Sequence, residues 1–174
     1  LSFLIPGLYI ADKSSVRLRL DAKGLATARV KSPRIAYKDK FIKDMDASFS
    51  NSEGSLSGNI FGNLVNIGPK MSIDEARLSL YADDDKFGLG FNYGESVEDG
   101  NDGEILTLGT LGRDKASDLS LQLRILPSGM RINSADWDIH EAELSIADGH
   151  IRIDGFGFSN GDQGISINGC IDSN

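Results

Sequence analysis

The sequence predicts an all-β protein with little or no helix. Strict alternation in Leu119–Ile125 places the leucines on one face and Ser120, Gln122 and Arg124 on the other, as in a strand with one dry side. The same alternation recurs along most of the chain. Twenty glycines against four prolines suit a chain with many tight turns.

Short alternating segments define the strands of the first half. Pro33 is expected to interrupt a strand, because proline donates no ladder hydrogen bond, and Lys38–Asp44 is predicted to be a charged turn. Ser72–Glu75 matches a helix capping box, but the alternation in the following Arg77–Tyr81 favours a strand. The predicted strands are Val16–Leu20, Ala26–Val30, Arg34–Tyr37, Met45–Phe49, Leu56–Phe61, Asn63–Ile67, Leu78–Tyr81 and Phe87–Tyr93.

The second half begins with the longest polar loop, Glu95–Gly103. The strand Glu104–Leu111 has an ambiguous phase because Ile105 and Leu106 compete for the dry face, and Gly112–Asp118 reads as a turn. Later segments are short, and the total is on the order of 13 strands. They are Leu119–Ile125, Met130–Asn133, Trp137–Ile139, Leu144–Ile146, Ile151–Ile153, Phe156–Phe158 and Ile165–Ile167, with hairpin signals at Asp148-Gly149 and Asn160-Gly161-Asp162.

Composition excludes several classes of function. A net charge of −8 disfavours nucleic-acid binding, which needs clustered Lys and Arg. The single cysteine, Cys170, cannot form an internal disulfide, and no apolar run approaches the roughly 20 residues of a transmembrane helix. Because the chain lacks an initiator Met, we interpret residues 1–174 as a processed chain or an excised fragment that forms one β-rich domain.

The candidate catalytic and metal-binding motifs are weak. Gly157–Gly161 spells G-x-S-x-G, but a nucleophile elbow needs a helix after it and a downstream histidine, so a hairpin turn is expected. His140 and His150 are expected to be structural or solvent-exposed. Asp83–Asp85 and Asp99–Glu104 lack EF-hand spacing and read as solvated turns. The sequence therefore predicts no catalytic residue, metal or cofactor, and a protein that is not an enzyme.

Many one-sided strands without an amphipathic helix pose a problem of burial. Their apolar face must curl over itself, pack on a second sheet, or be covered by something other than this chain. The first two solutions give a closed β-sandwich with a structural, adhesive or carbohydrate-binding role. The third gives a groove for acyl chains, whose predicted lining is Leu78, Leu80, Phe87, Leu89, Phe91, Leu119, Leu121, Leu123, Ile151, Ile153, Ile165 and Ile167.

A family resemblance bears on this choice. Leu126–Asn133 leads through a short turn into Trp137-Asp-Ile139, and the run closes with Ser159–Gly169, which contains Gly-Asp-Gln-Gly-Ile-Ser-Ile-Asn-Gly. Phe87–Gly94 and Gly103–Gly109 have the same style. These segments resemble the repeats of the TamB branch of the AsmA-like envelope proteins, in the form found in Bacteroidota. The resemblance covers residues 15–171 and is strongest after Ile125.

The resemblance implies a long, curved antiparallel sheet, a β-taco or half-pipe meander, with an apolar concave face, of which this chain would be one fragment of a longer, repeat-built β-trough. It also implies that this trough carries phospholipid between the inner and outer membranes without covalent chemistry or a cofactor. It also implies a role in outer-membrane protein assembly. Full-length relatives are anchored in the inner membrane, cross the periplasm and partner an Omp85-type outer-membrane barrel. The family's amino-terminal membrane helix is not in this sequence, so we expect an internal or carboxy-terminal piece of a periplasmic protein.

Overall fold

The computed structural model describes residues 5–52, 54–68, 71–94, 101–113, 119–132 and 134–172, without the side chain of Met71. Strands hold 82% of the described residues, which contain no helix, and this confirms the predicted all-β class. Within these ranges no helix is long and apolar enough to cross a membrane. The strands are β1 (Leu8–Ile10), β2 (Ser15–Leu20), β3 (Ala26–Tyr37), β4 (Lys40–Ser52), β5 (Ser55–Gly68), β6 (Met71–Asp83), β7 (Lys86–Tyr93), β8 (Asp102–Arg113), β9 (Leu119–Ile125), β10 (Ser128–Ile132), β11 (Ala135–Ile139), β12 (Ala142–Ala147), β13 (His150–Asn160) and β14 (Gln163–Asp172).

All fourteen strands join one curved antiparallel sheet, and they do so in chain order. β9 and β10 act as halves of one long strand, and so do β11 and β12. Ile125 pairs with Ala142 and Ser128 pairs with Ile139, so both strands advance by three residues between these pairs and the register is kept. β1 and β2 likewise lie end to end along β3. The sheet is therefore an up-and-down meander about eleven strands wide, with β1 and β2 at one edge and β14 at the other.

Several predicted boundaries were wrong because strands continue where the alternation breaks. β3 runs through Pro33, and the ladder to β4 skips the pair that Pro33 would make, so its missing N–H leaves no gap. The predicted turn Lys38–Asp44 is reduced to two residues, since β4 begins at Lys40. Asn63–Ile67 belongs to the single strand β5. The predicted strand after Ser72 is confirmed. Residues 95–100 and 114–118 of the two predicted connections lie outside the described ranges.

Irregularities at matching positions on neighbouring strands explain these breaks. Pro33, Asp44, Asn63 and Glu75 fall opposite one another on β3 to β6, and the ladder skips each of these pairs. Asp44 and Glu75 have positive φ angles of 48° and 52°, which lie in the left-handed region. A single irregular residue reverses which alternate side chains point to a given face. Each strand in the row therefore changes phase at the same level.

A second row of irregularities crosses the other half of the sheet. It runs from Leu126-Pro127 through His140-Glu141 to Asp154-Gly155, where Gly155 has a φ of +74°. Apolar side chains thus occupy odd positions up to Ile153 in β13 and even positions from Phe156 onward. The phase change in the sequence and the irregular backbone compensate each other, so the apolar side chains stay on one side of the sheet.

Candidate functional site

One side of the sheet, called here the apolar face, is built by side chains that pair across successive strands. Leu80 pairs with Leu89, Leu89 with Thr107, and Thr107 with Ile125. Directly paired residues of antiparallel strands project to the same side. The face therefore continues without interruption from β6 to β9.

The same face continues into the carboxy-terminal strands. Leu123 pairs with Leu144, which pairs with Ile153, and the rings of Trp137 and Phe158 stack 4.5 Å apart at 8° beyond the second row of irregularities. All twelve residues predicted to line a groove lie on the apolar face, and their role as a lining stays a prediction. They are Leu78, Leu80, Phe87, Leu89, Phe91, Leu119, Leu121, Leu123, Ile151, Ile153, Ile165 and Ile167.

The face has further members that sequence reasoning did not single out. Ile105, opposite Phe91, lies on it, whereas Leu106, opposite Gly90, points to the other side, which resolves the ambiguous phase of β8. The other members of the apolar face could have been recognised only from the strand register, because each lies opposite an apolar residue of a neighbouring strand. They include Leu18, Leu20, Ile42, Phe49, Ile60, Val65, Ile73, Met130, Trp137, Leu144, Ile146, Phe156 and Phe158.

The apolar face is not sealed by the described part of the chain. Among the described residues no large side chain is fully buried, and the buried hydrophobic residues are Ile139 and four alanines. The accessible surface is 12230 Å², whereas a compact monomer of 18.7 kDa exposes about 8,300 Å². Leu119, with 68% of its surface exposed, and Ile167, with 46%, illustrate the access that this leaves.

Aromatic rings cover glycines on the apolar face. Phe87 pairs with Gly109, and a Cβ placed on Gly109 would lie 2.1 Å from the Cζ of the ring. Phe49 lies over Gly58 in the same way. Because these rings occupy the space of a missing side chain, they lie close to the backbone and leave a smoother surface.

Open depressions occur on both sides of the sheet. One of about 580 Å³ lies on the apolar face, with Leu18, Leu20 and Phe49 in its wall. Another of about 640 Å³ lies on the opposite side across β8, β9, β12 and β13, with Gln122 and Glu143 in its wall. A twisted sheet is concave along one diagonal of each face, so both depressions follow from the twist. The apolar lining distinguishes the first from the second.

The opposite side, called here the polar face, carries most of the charged side chains, including Arg29, Asp46, Arg77, Arg124, Glu143 and Arg152. Arg29 Nη2 lies 2.7 Å from Asp46 Oδ2, and Lys31 Nζ lies 3.0 Å from the same oxygen. The hydrogen bonds from Arg29 and then Lys31 lower the pKa of Asp46 to about 2. Arg124 also pairs with Glu141. The polar face is therefore a charged, solvated surface.

Replacing Asp46 by Asn tests this ion-pair cluster. We expect Asp46→Asn to lower the free energy of unfolding by about 1 kcal/mol at pH 7, as for a partly exposed pair. Because the folded-state pKa is depressed, the stabilisation is full above the ordinary pKa of 3.8 and is lost as the pH falls from there towards about 2. Urea titrations followed by circular dichroism at several pH values measure this difference. The exposed turn variant Asp162→Asn serves as the control, and an Asp46 effect that persists unchanged at pH 2 would contradict the assignment.

The G-x-S-x-G motif does not form a nucleophile elbow. Ser159 lies within β13, opposite Asp138 and Gly164, and the turn that follows is only Gly161-Asp162. His140 Nε2 lies 2.8 Å from Ser159 Oγ, a contact that the sequence did not reveal because the histidine precedes the serine. Because Ser159 is paired with a strand on each side, the backbone around it follows the sheet ladder and does not form the sharp strand-to-helix turn that an oxyanion hole beside a nucleophile requires.

The remaining motifs lie in turns or at strand ends. Asp84 and Asp85 form the exposed two-residue turn between β6 and β7, as expected for a solvated acidic turn. Residues 99 and 100 of the predicted turn Asp99–Glu104 lie outside the described ranges, and the expectation of a turn was wrong for Asp102, Gly103 and Glu104, which begin β8. His150 is exposed at the start of β13, and its Nδ1 lies 2.7 Å from Asp172 Oδ1.

Comparisons with known proteins identify no relative from which a function could be inferred. No protein-family model matches the chain. No curated protein and no solved structure matches it significantly.

Proposed function

We propose that the chain is a non-enzymatic segment of a cell-envelope protein whose apolar face binds the acyl chains of phospholipids and conducts them between the inner and outer membranes. One observation carries the proposal: an apolar face extends across the sheet, and no second layer of the described chain covers it. Exposed apolar surfaces of this extent mark interaction sites.

The dimensions of the sheet suit lipid tails. Ten spacings of roughly 4.8 Å between eleven strands make the sheet about 48 Å long. Half of a bilayer hydrocarbon core is about 15 Å thick, so a single acyl chain spans about three strands. Each buried methylene contributes about 0.8 kcal/mol, which lets even part of a tail bind without a specific polar contact.

The two faces together explain how a lipid is held without chemistry. Apolar side chains contact the tail, and the uncovered side of the groove leaves the headgroup in water. The polar face, with its ion pairs around Asp46 and Arg124, keeps the segment in an aqueous compartment. A covalent intermediate, a metal or a cofactor has no part in this mechanism.

The placement in the envelope is supported by the resemblance of Ile125–Ile171 to TamB-like repeats. On that basis the parent protein is anchored in the inner membrane and crosses the periplasm. It partners an Omp85-type barrel and also serves outer-membrane protein assembly. A closed β-sandwich with an adhesive or carbohydrate-binding role is less favoured, because the described strands form one sheet without a filled core.

Photocrosslinking to a radiolabelled phospholipid tests the proposal. Phe91 lies on the apolar face, and Tyr81, with 54% of its surface exposed, lies on the polar face of the neighbouring strand. Each is replaced in turn by benzoylphenylalanine, which substitutes one aromatic side chain for another. We expect lipid adducts at position 91 and background labelling at position 81. Equal labelling at both positions, or none at 91, would overturn the proposal.

Native mass spectrometry of gently purified protein provides a second readout. The expected result is a set of masses displaced by whole phospholipids, whose identity is then read from extracted lipid. A chain that carries no phospholipid under conditions in which circular dichroism shows the sheet intact would contradict the conduit.

A further inference from the structure

Three side chains with metal-binding atoms converge on the polar face where β13 pairs with β14. His150 lies directly opposite Asp172, and Arg152 lies opposite Cys170. His150 Nδ1 is 2.7 Å from Asp172 Oδ1, and Cys170 Sγ is 3.5 Å from the same oxygen. The three ligand atoms all lie within 4.8 Å of one another.

These atoms form a donor set suited to one class of cation. Tetrahedral Zn²⁺ binds sulfur at about 2.3 Å and nitrogen or oxygen at about 2.0–2.2 Å, which places neighbouring ligand atoms about 3.3–3.7 Å apart. Small side-chain rotations bring the three groups to that spacing, because all three are exposed at the edge of the sheet. Thiolate and imidazole select zinc over calcium or magnesium, which take oxygen ligands.

The charges around the cluster are compatible with a divalent cation. One thiolate and one carboxylate neutralise Zn²⁺. The hydrogen bond from His150 lowers the pKa of Asp172, which keeps that group a carboxylate. Desolvation and the hydrogen bond to Asp172 raise the pKa of the Cys170 thiol. Because the metal takes a thiolate as its ligand, binding would release the thiol proton to solvent. The positive charge of Arg152 opposes that rise in the Cys170 pKa. Arg152 Nη2 also lies 3.8 Å from Asp154 Oδ2, so an ion pair partly balances its charge.

We propose that His150, Cys170 and Asp172 form a Zn²⁺ site with a water molecule as the fourth ligand. The site lies on the opposite side of the sheet from the apolar face, so it is independent of lipid binding. The site links the two strands of the last hairpin at its open end, where β13 begins at His150 and β14 ends at Asp172. Sequence spacing alone did not suggest it, because His150 lies 20 residues before Cys170 and only the hairpin register brings the two together.

Cobalt(II) titration of the metal-free chain tests the site, since Co²⁺ reports thiolate ligation and tetrahedral geometry by absorption. We expect one Co²⁺ per chain, a thiolate-to-cobalt charge-transfer band in the near ultraviolet, and displacement by Zn²⁺. Cys170→Ser should abolish the charge-transfer band, since Cys170 is the single cysteine of the chain. His150→Gln and Asp172→Asn should each weaken Zn²⁺ binding by more than about tenfold, because loss of an outer-shell partner alone has an effect of 10–100-fold.

Matched variants separate the site from adventitious binding. His140→Gln removes the other histidine, and Asp154→Asn removes a neighbouring carboxylate of β13. Both should retain Zn²⁺ affinity within about twofold, and circular dichroism should show every variant folded. The proposal is overturned if the wild type gives no charge-transfer band. It is also overturned if one metal is shared by two chains, or if His140→Gln weakens binding as much as His150→Gln.

Discussion

Leu121→Asp is expected to reduce bound phospholipid to background. Leu121 lies in the middle of the apolar face, between Leu111 and Ile146 on the neighbouring strands. A carboxylate there must either stay hydrated, which keeps water on the apolar face, or be desolvated without a partner among its apolar neighbours. Either outcome removes the continuous apolar contact that a lipid tail needs. Native mass spectrometry and lipid extraction measure the loss.

The same substitution also destabilises the sheet. The leucine is half-buried, so its loss should lower the free energy of unfolding by about 2 kcal/mol, as judged from a typical burial contribution. Circular dichroism and a urea titration show whether the variant remains folded. Leu89→Arg tests the same face with a charge of the opposite sign, opposite Leu80, and should also lose lipid.

Leu108→Asp is the matched control on the other face. Leu108 has 51% of its surface exposed and pairs with Arg124, so the new carboxylate can form a cross-strand ion pair. We expect lipid binding to be retained and stability to change by less than about 0.5 kcal/mol. If Leu108→Asp loses as much lipid as Leu121→Asp, the apolar face is not the binding surface. Retention of lipid by a folded Leu121→Asp would lead to the same conclusion.

The alternation of side chains was sufficient to predict the fold class and a shared face. The pattern in Leu119–Ile125 depends on the period of a strand, which is a local property of the backbone. For that reason the twelve proposed lining residues fall on one side even though they come from five different strands. The predicted short helix alternative at Ser72–Glu75 lost to the strand because the period continues through Leu78 and Leu80.

The positions at which strands change phase could not be predicted in the same way. A residue such as Asp44 or Glu75 in the left-handed region reverses the alternation without ending the strand. A prediction based on strict alternation takes each reversal for the end of a strand. For this reason the sequence analysis divided β3 at Pro33 and β5 at Asn63. The proximity of His150, Cys170 and Asp172 could not be predicted for a related reason, since it depends on the register of one hairpin that shifts by a residue between Ile153 and Phe156.

Gly155→Val is expected to lower the free energy of unfolding by about 2 kcal/mol. Gly155 holds a φ of +74°, where a residue with a side chain is disfavoured by about 1–2 kcal/mol. A Cβ at this position would also lie 3.1 Å from the carbonyl oxygen of Glu141. The backbone N–H of Gly155 donates to Asn168 Oδ1 at 2.6 Å, which ties the irregular backbone to β14. A urea titration followed by circular dichroism measures the loss.

A matched control exists on the adjacent strand. Gly169 pairs with Ile153, and a Cβ added there would meet no atom within 4 Å. Gly169→Val should therefore be neutral or slightly stabilising, because valine favours strands. If Gly155→Val relieves its strain by straightening β13, Phe156 and Phe158 turn to the polar face, and lipid binding should fall along with stability. Equal stability of the two variants would show that the irregular residue at Gly155 is not what keeps the apolar side chains of β13 on one face.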